Sequence, residues 1–258
     1  MSILGNVVRS ALGRTQSAKV GRVGSLLPSD SRFDVAVVLT SNGGAGLGRA
    51  IRSVHDQAID GRVQLLLGIE GSSSQVADAV KSVQRAPKHV THTLVAPGYS
   101  SQASSGGLYS AASGSALRTA LSFLANSRYI CSLHDTDWFA ANHLSSLLSV
   151  CREQAWAFTR RWQIDPTNPN KSTEDVTHSL GPGKGYYAAR FGGWVHPSAL
   201  MIDKISCHEM LPKWCHALSP KGTGADLVFF RGLVGRYPRG GDTQVPTVFT
   251  TNELSDAS

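Results

Sequence analysis

The sequence predicts an α/β protein built on a mostly parallel sheet with helices on both faces. From Phe33 onward, short apolar runs alternate with amphipathic stretches in a repeated β-α-β order. Glycine- and serine-rich turns separate the two kinds of segment. Polar residues suited to ligand contact, Thr40, Glu70 and Asp135, stand where three of the apolar runs end, which is where ligands sit on such sheets.

The elements follow in order. Val35–Thr40 reads as a buried strand, followed by a glycine-rich turn through Gly48 and a helix over Ala50–Gln57 with Ile51 and Val54 facing inward. Val63–Ile69 is a second strand, and a helix lies around Val76–Gln84. His89–Val95 is a third strand. A loop of Gly, Ser, Gln and Tyr from Pro97 to Gly107 leads to a helix over Ser115–Leu124, and Tyr129–Leu133 is the strand that delivers His134-Asp135-Thr136-Asp137-Trp138. A helix over Asn142–Glu153 and a strand over Ala155–Trp162 come next. The polar stretch from Asp165 to Arg190, rich in Pro, Gly, Asn, Ser and Thr, reads as a long loop, either a lid that orders over a ligand or a floppy insertion. Val195–Ile202 then reads as a strand and Asp226–Val234 as a helix.

Three regions follow from this reading. Residues 1–32 form a basic extension in which Ile3, Leu4, Val7, Val8, Ala11 and Leu12 recur at helical spacing, suited to a peripheral membrane face, a second subunit or targeting. Residues 33–150 are the ligand-binding half and 151–258 the second half of the same domain. No run approaches about 18 consecutive apolar residues, so no membrane-spanning helix is expected. The four cysteines lack close pairing, which suits free thiols in a reducing, cytoplasmic setting. A formal charge of +7 favours an anionic ligand, but Arg160-Arg161 is the only dense basic pair, so a nucleic-acid groove is not expected.

Asp135 and Asp137 carry the chemistry. Residues i and i+2 of an extended or turning backbone project to one side, so two carboxylates can face a small volume at a strand end. Oxygen ligands so placed can hold a divalent cation and, through it, a diphosphate.

Two resemblances compete for the first glycine turn. Gly46-Leu47-Gly48 opening a helix, with Glu70 about 20 residues on, resembles the nucleotide-binding turn of short-chain dehydrogenases, which implies an NAD(P) site. The chain has no Tyr-x-x-x-Lys, and Asn42 stands where that family has its first glycine. The longer resemblance runs from Val35 to Leu148. Its parts are Val37-Val38-Leu39-Thr40-Ser41-Asn42, the Ser53-Val54-His55-Asp56-Gln57 helix end, Leu65 to Ser72, Ser115 to Leu121, and Tyr129 to Leu148 with its Asp-x-Asp, aromatic and Asn-x-Leu series. In order and spacing these are similar to the nucleotide-binding half of family 2 glycosyltransferases, inverting enzymes with the GT-A fold. Ile69 replaces the first acid of that family's pair, leaving Glu70, and Arg118 stands near the family's asparagine.

The resemblance implies a GT-A fold and transfer of a sugar from a nucleotide diphosphate, most simply UDP, to a hydroxyl acceptor such as a saccharide. It implies Mn²⁺ or Mg²⁺ at Asp137, supported by Asp135, and donor contacts from Thr40, Asn42, Glu70, Arg118, Asp135, Trp194 and His196. The helix start Gly224 to Leu233 resembles the family's acidic segment, with Ala225 in place of Glu, so Asp226 is the expected base and Glu174 and Asp175 are reserves. His134 is expected to pack beside the strand end. Ile69 and Ala225 leave a third reading open, a catalytically silent nucleotide-sugar-binding protein.

Overall fold

The computed structural model describes residues 19–23, 32–70, 73–83, 86–99, 114–165, 167–216, 218 and 224–251. The helix expected over residues 3–12, and with it any membrane or subunit contact of that segment, lies outside the described residues. So does most of the Pro97–Gly107 loop.

Strands β1 (Lys19–Val23), β2 (Phe33–Ser41), β3 (Val63–Ile69), β4 (Val90–Ala96), β5 (Ser127–His134), β6 (Trp138–Phe139), β7 (Trp156–Asp165), β8 (Asn168–Glu174), β11 (Leu200–Asp203) and β12 (Gly241–Thr251) form one sheet. Its order is β1-β4-β3-β2-β5-β11-β7-β12-β6, with β8 pairing the last part of β7, beyond the stretch that β11 pairs. The block β4-β3-β2-β5 is parallel throughout, and the sheet turns antiparallel at β11. Helices α1 (Leu47–His55), α2 (Ser73–Val83), α3 (Ser115–Leu124), α4 (His143–Cys151), α5 (Ala188–Phe191) and α6 (Ala225–Arg236) complete the chain with a small β9 (Gly181–Pro182) and β10 (Gly193–Trp194) pair. This is the expected α/β class with a mixed second half. No helix among the described residues is long and apolar enough to cross a membrane.

The central strands are apolar on both faces because both faces are covered. Every residue of β3 is buried, and so are seven consecutive residues of β2 from Val35 to Ser41. Gly68 lets α3 lie close on the sheet, since a Cβ there would stand 2.6 Å from Leu117. Full burial of each such Val, Leu or Ile contributes about 1.5–3 kcal/mol against leaving it exposed.

Three segments differ from expectation. The polar stretch after Asp165 is no long loop: β8 pairs with β7 as an edge strand, and an edge with both faces wet is built from polar residues. Asp175 anchors its end, taking Arg161 Nε at 2.7 Å and the amides of Thr177, His178 and Ser179 at 2.8–3.0 Å. The run Val195–Ile202 is divided, because Pro197 has no N–H for a ladder: Pro197–Ala199 is a 3-10 turn, and β11 starts at Leu200. At the other end of the chain, Lys19–Val23 joins the sheet antiparallel to β4, so part of the basic extension belongs to the fold.

Two buried histidines make the fold acid-sensitive. His143 is fully buried, stacked on Phe139 and bonded through Nδ1 to Thr247 Oγ1 at 2.8 Å; burial pushes it down to about 3. His92, also fully buried, sits with its Nε2 2.8 Å from that of His55 and is pushed down to about 3 by burial and then by His55. Unfolded chains protonate these rings below about 6.5 and the fold does not, so their stabilisation is present above that pH and is lost progressively toward pH 3. At pH 5 the loss is about 2 kcal/mol for each ring. Urea unfolding at pH 8 and pH 5 measures it, and His143→Asn, which keeps an acceptor for Thr247, should flatten the dependence.

Candidate functional site

The strand order reverses between β2 and β5, so the chain leaves their carboxyl ends in opposite directions and opens a crevice there. The candidate residues gather at this place. Ser41, the last residue of β2, donates from Oγ to Asp135 Oδ2 at 2.5 Å, and its carbonyl accepts the amide of Glu70 at 3.0 Å. Ser41 therefore links Asp135 to the buried Glu70 at the end of β3. Asn42 is exposed on the following turn, and buried Thr40 faces Gly114 at the start of α3.

The glycine turn serves the aspartate turn. A Cβ on Gly46 would lie 2.3 Å from the Asp135 carbonyl oxygen, so glycine is what permits the start of α1 to seat against Asp135-Thr136. Arg49, one turn on, donates to the Thr136 carbonyl at 3.2 Å and lies 3.5 Å over the Trp138 ring. Gly46→Ala is expected to cost about 1–3 kcal/mol as an overpacked contact against backbone that cannot swing aside, measured by denaturant unfolding.

Asp137 and Asp135 part company. While Asp135 turns to Ser41, Asp137 turns to His134 and His196, and one ligand atom from each of these three lies within 4.8 Å of the others. Ser198 holds the group together. Its fully buried hydroxyl accepts from the His134 amide at 3.1 Å and donates to Asp137 Oδ2 at 2.6 Å, while its own amide donates to His196 Nδ1 at 3.2 Å. Asp137 Oδ2 and His196 Nδ1, both accepting from Ser198, then face one another at 3.7 Å. Each of these atoms already accepts one hydrogen bond from Ser198, and the Asp137 carboxylate keeps further lone pairs. Burial keeps both rings neutral, His134 pushed down to about 3 and His196 held well below its usual range, as metal ligation requires. Burial also pushes Asp137 up to about 7, against hydrogen bonding from Ser198 and the charge of Arg161. The residues present fit a divalent ion.

Arg118 is the second charged element. It lies in the first turns of α3, buried, 4.9 Å over the Trp214 ring, and its Nε has no hydrogen-bond partner among the described residues. Burial lowers it to about 10, and the charges of Asp226 and Asp137 act in opposition. Its charge is thus felt by the expected base as well. Asp226, in the first turn of α6, takes Trp194 Nε1–H on Oδ2 at 3.0 Å; burial raises its basicity, while the Leu227 amide, Trp194 and Arg118 limit the rise. Trp194 is buried beneath the site, holding Asp226 and touching the His196 ring edge-on. Asp175 is saturated by hydrogen bonds and held low, and Glu174 pairs with Arg160 at 3.7 Å, so neither is placed as a base.

Sequence reasoning did not single out Ser41, Ser198 or Arg161, and it set His134 beside the strand rather than in a ligand group. Each acts through a partner far along the chain, and no local pattern marks such pairs.

No protein-family model matches the sequence, and no curated protein matches it. Among solved structures, S. aureus TarS superposes with a TM-score of 0.60 at 8% identity, over 85% of this chain and 37% of that one. TarS 1–349 in complex with UDP-GlcNAc gives 0.61 at 7% identity, over 86% of this chain and 60% of that one. TarS 1–349 in complex with UDP gives 0.59 at 9%, over 85% and 61%. The fold is GT-A-like. The chain spans less than two thirds of each of these structures, and at such identities the likeness speaks for architecture.

Proposed function

We propose that the protein transfers a sugar from a nucleotide diphosphate sugar, most simply a UDP-sugar, to a hydroxyl acceptor with inversion and with the help of a divalent cation. The observation that carries this reading is Arg118, a buried guanidinium under the influence of Asp226 and Asp137 whose Nε has no hydrogen-bond partner among the described residues. That Nε–H is a charge-assisted donor left for a ligand, and a diphosphate oxygen is an acceptor suited to it. The solved complexes of TarS with UDP and UDP-GlcNAc support the choice of donor.

His134, Asp137 and His196 would hold the cation. Two nitrogen ligands favour a transition ion such as Mn²⁺ over Mg²⁺. When bound, the ion supplies Lewis-acid stabilisation of charge on the departing diphosphate. Asp135, fixed by Ser41, and Glu70 face the ribose and base, with Thr40 and Asn42 beside them. Arg118 neutralises the diphosphate from the α3 side. Asp226 accepts the proton of the attacking hydroxyl at a carboxylate that burial has made more basic, and Trp194 keeps it aimed. Attack from the face opposite the leaving group inverts the anomeric centre.

Thermal shift with UDP, GDP and NADP, each with and without Mn²⁺, tests the reading. UDP is expected to stabilise the protein in an Mn²⁺-dependent way that Asp137→Ala removes. Stabilisation by NADP without metal, or none by any nucleotide, would overturn it. The silent-binder reading, favoured by Ala225 and Ile69, predicts UDP binding with no turnover of UDP-sugars under Mn²⁺.

A further inference from the structure

A continuous run of aromatic rings leads from the surface to the Asp226 carboxylate. Tyr186 is 68% exposed and edges onto Tyr187 at 5.1 Å between centroids, with the two rings nearly perpendicular. Tyr187, half-buried, meets Trp194 at 5.6 Å, and Trp194 donates its indole N–H to Asp226. The Asp226 charge is felt at the Tyr187 phenol, which burial and then that carboxylate push up. His178 braces both tyrosines from behind at 5.7 and 5.9 Å.

The backbone around Tyr186 is firmly set. Its amide donates to the Thr177 carbonyl at 2.8 Å, and that residue follows Val176, 73% exposed. Gly185, with φ +73°, packs against the same carbonyl, where a Cβ would lie 2.5 Å away. Thr177 is itself fixed by Asp175, which Arg161 holds in turn. An exposed phenol on so constrained a backbone loses little further freedom when a ligand covers it. No part of the proposed donor chemistry uses Tyr186 or Val176.

We infer that Tyr186, flanked by Val176 and Lys184, is the platform on which a pyranose ring of the acceptor lies, guided along Tyr187 toward Asp226. A pyranose presents an apolar face of axial C–H groups and an equatorial rim of hydroxyls. The exposed Tyr ring offers a matching apolar face, with its phenol oxygen at one edge. Exposed Lys184, two residues before Tyr186, adds ammonium donors for the rim. The acceptor is therefore a saccharide rather than a linear polyol or a peptide hydroxyl. This inference rests on the transferase reading for the role of the ring, and on the aromatic run alone for its binding.

Saturation-transfer NMR on the full chain tests it, with methyl β-D-glucopyranoside, methyl α-D-mannopyranoside and methyl N-acetyl-β-D-glucosaminide as probes and glycerol 3-phosphate as the linear comparison. Saturation is expected on the C–H protons of one face of at least one pyranoside. Tyr186→Ser should reduce it about tenfold and Tyr186→Trp should restore it. No pyranoside signal, an equal signal in Tyr186→Ser, or a stronger response from glycerol 3-phosphate would overturn the platform. A Tyr186→Ser protein that loses several degrees of thermal midpoint and is not rescued by Trp would make the ring structural, which also overturns it. UDP with Mn²⁺ is titrated in parallel on the unaltered protein. Pyranoside binding without a UDP response leaves the platform standing and removes the transferase reading, and the reverse result does the opposite.

Discussion

Asp226→Asn is expected to lower sugar transfer by about 10²–10⁴-fold, the usual effect of removing a positioned general base. Asn preserves an oxygen for the Trp194 indole N–H, which reaches Asp226 at 3.0 Å, so the start of α6 should keep its place. What disappears is the carboxylate basicity that the proposed mechanism needs to take the acceptor proton. The loss should fall on kcat, with the Mn²⁺-dependent affinity for UDP unchanged. Steady-state transfer at saturating UDP-sugar, paired with calorimetry of UDP, separates the two. An Asn variant with ordinary kcat would move the base elsewhere and leave Asp226 as a helix-capping acid stabilised by the backbone dipole.

Arg118→Met should weaken UDP binding far more than it disturbs the free fold. A charge-assisted contact to a diphosphate is worth about 1.5–3 kcal/mol, so UDP affinity should fall by about 10–100-fold. The free protein should change little, because losing a desolvated charge over Trp214 is offset by losing the countercharge to Asp226 and Asp137. A change of about 1 kcal/mol corresponds to roughly 2–4 °C in midpoint for a chain of this size. Thermal melts with and without UDP and Mn²⁺ read both effects in one experiment. If Arg118→Met melts earlier and binds UDP normally, the guanidinium is a structural partner of Trp214.

Much of the fold was legible because its signals are local. Val63–Ile69 and Ser115–Leu124 coincide with the expected bounds: the first is a continuous apolar run covered on both faces, the second an amphipathic stretch opening at Gly114, whose φ is +75°. The strand ends carrying Thr40, Glu70 and the aspartates were readable for the same reason. Segments whose state depends on distant partners were not. Asn168–Glu174 is polar because it is an edge, and only β7 makes it a strand. The ligand group joins His134, Asp137 and His196 through Ser198, 61 positions from Asp137. Asp135 and Asp137 are neighbours in sequence and alike in chemistry, yet Ser41 takes one and Ser198 the other. The division follows from which hydroxyl each carboxylate meets, and a dipeptide spacing does not encode that.

The hydroxyl of Ser198 has a consequence for how this protein can be taken apart. It sits on the turn before β11, in the second half of the chain, and grips the amide of His134 and the carboxylate of Asp137 from the first half. The seam between the halves therefore passes through the ligand group itself. If this group holds a cation as proposed, two fragments cut between α4 and β7 would each carry an incomplete set of ligands, and divalent-ion affinity would return only when they reassociate. Cation binding would then report fragment reassembly, and a second half borrowed from another protein would have to supply its own serine at that point.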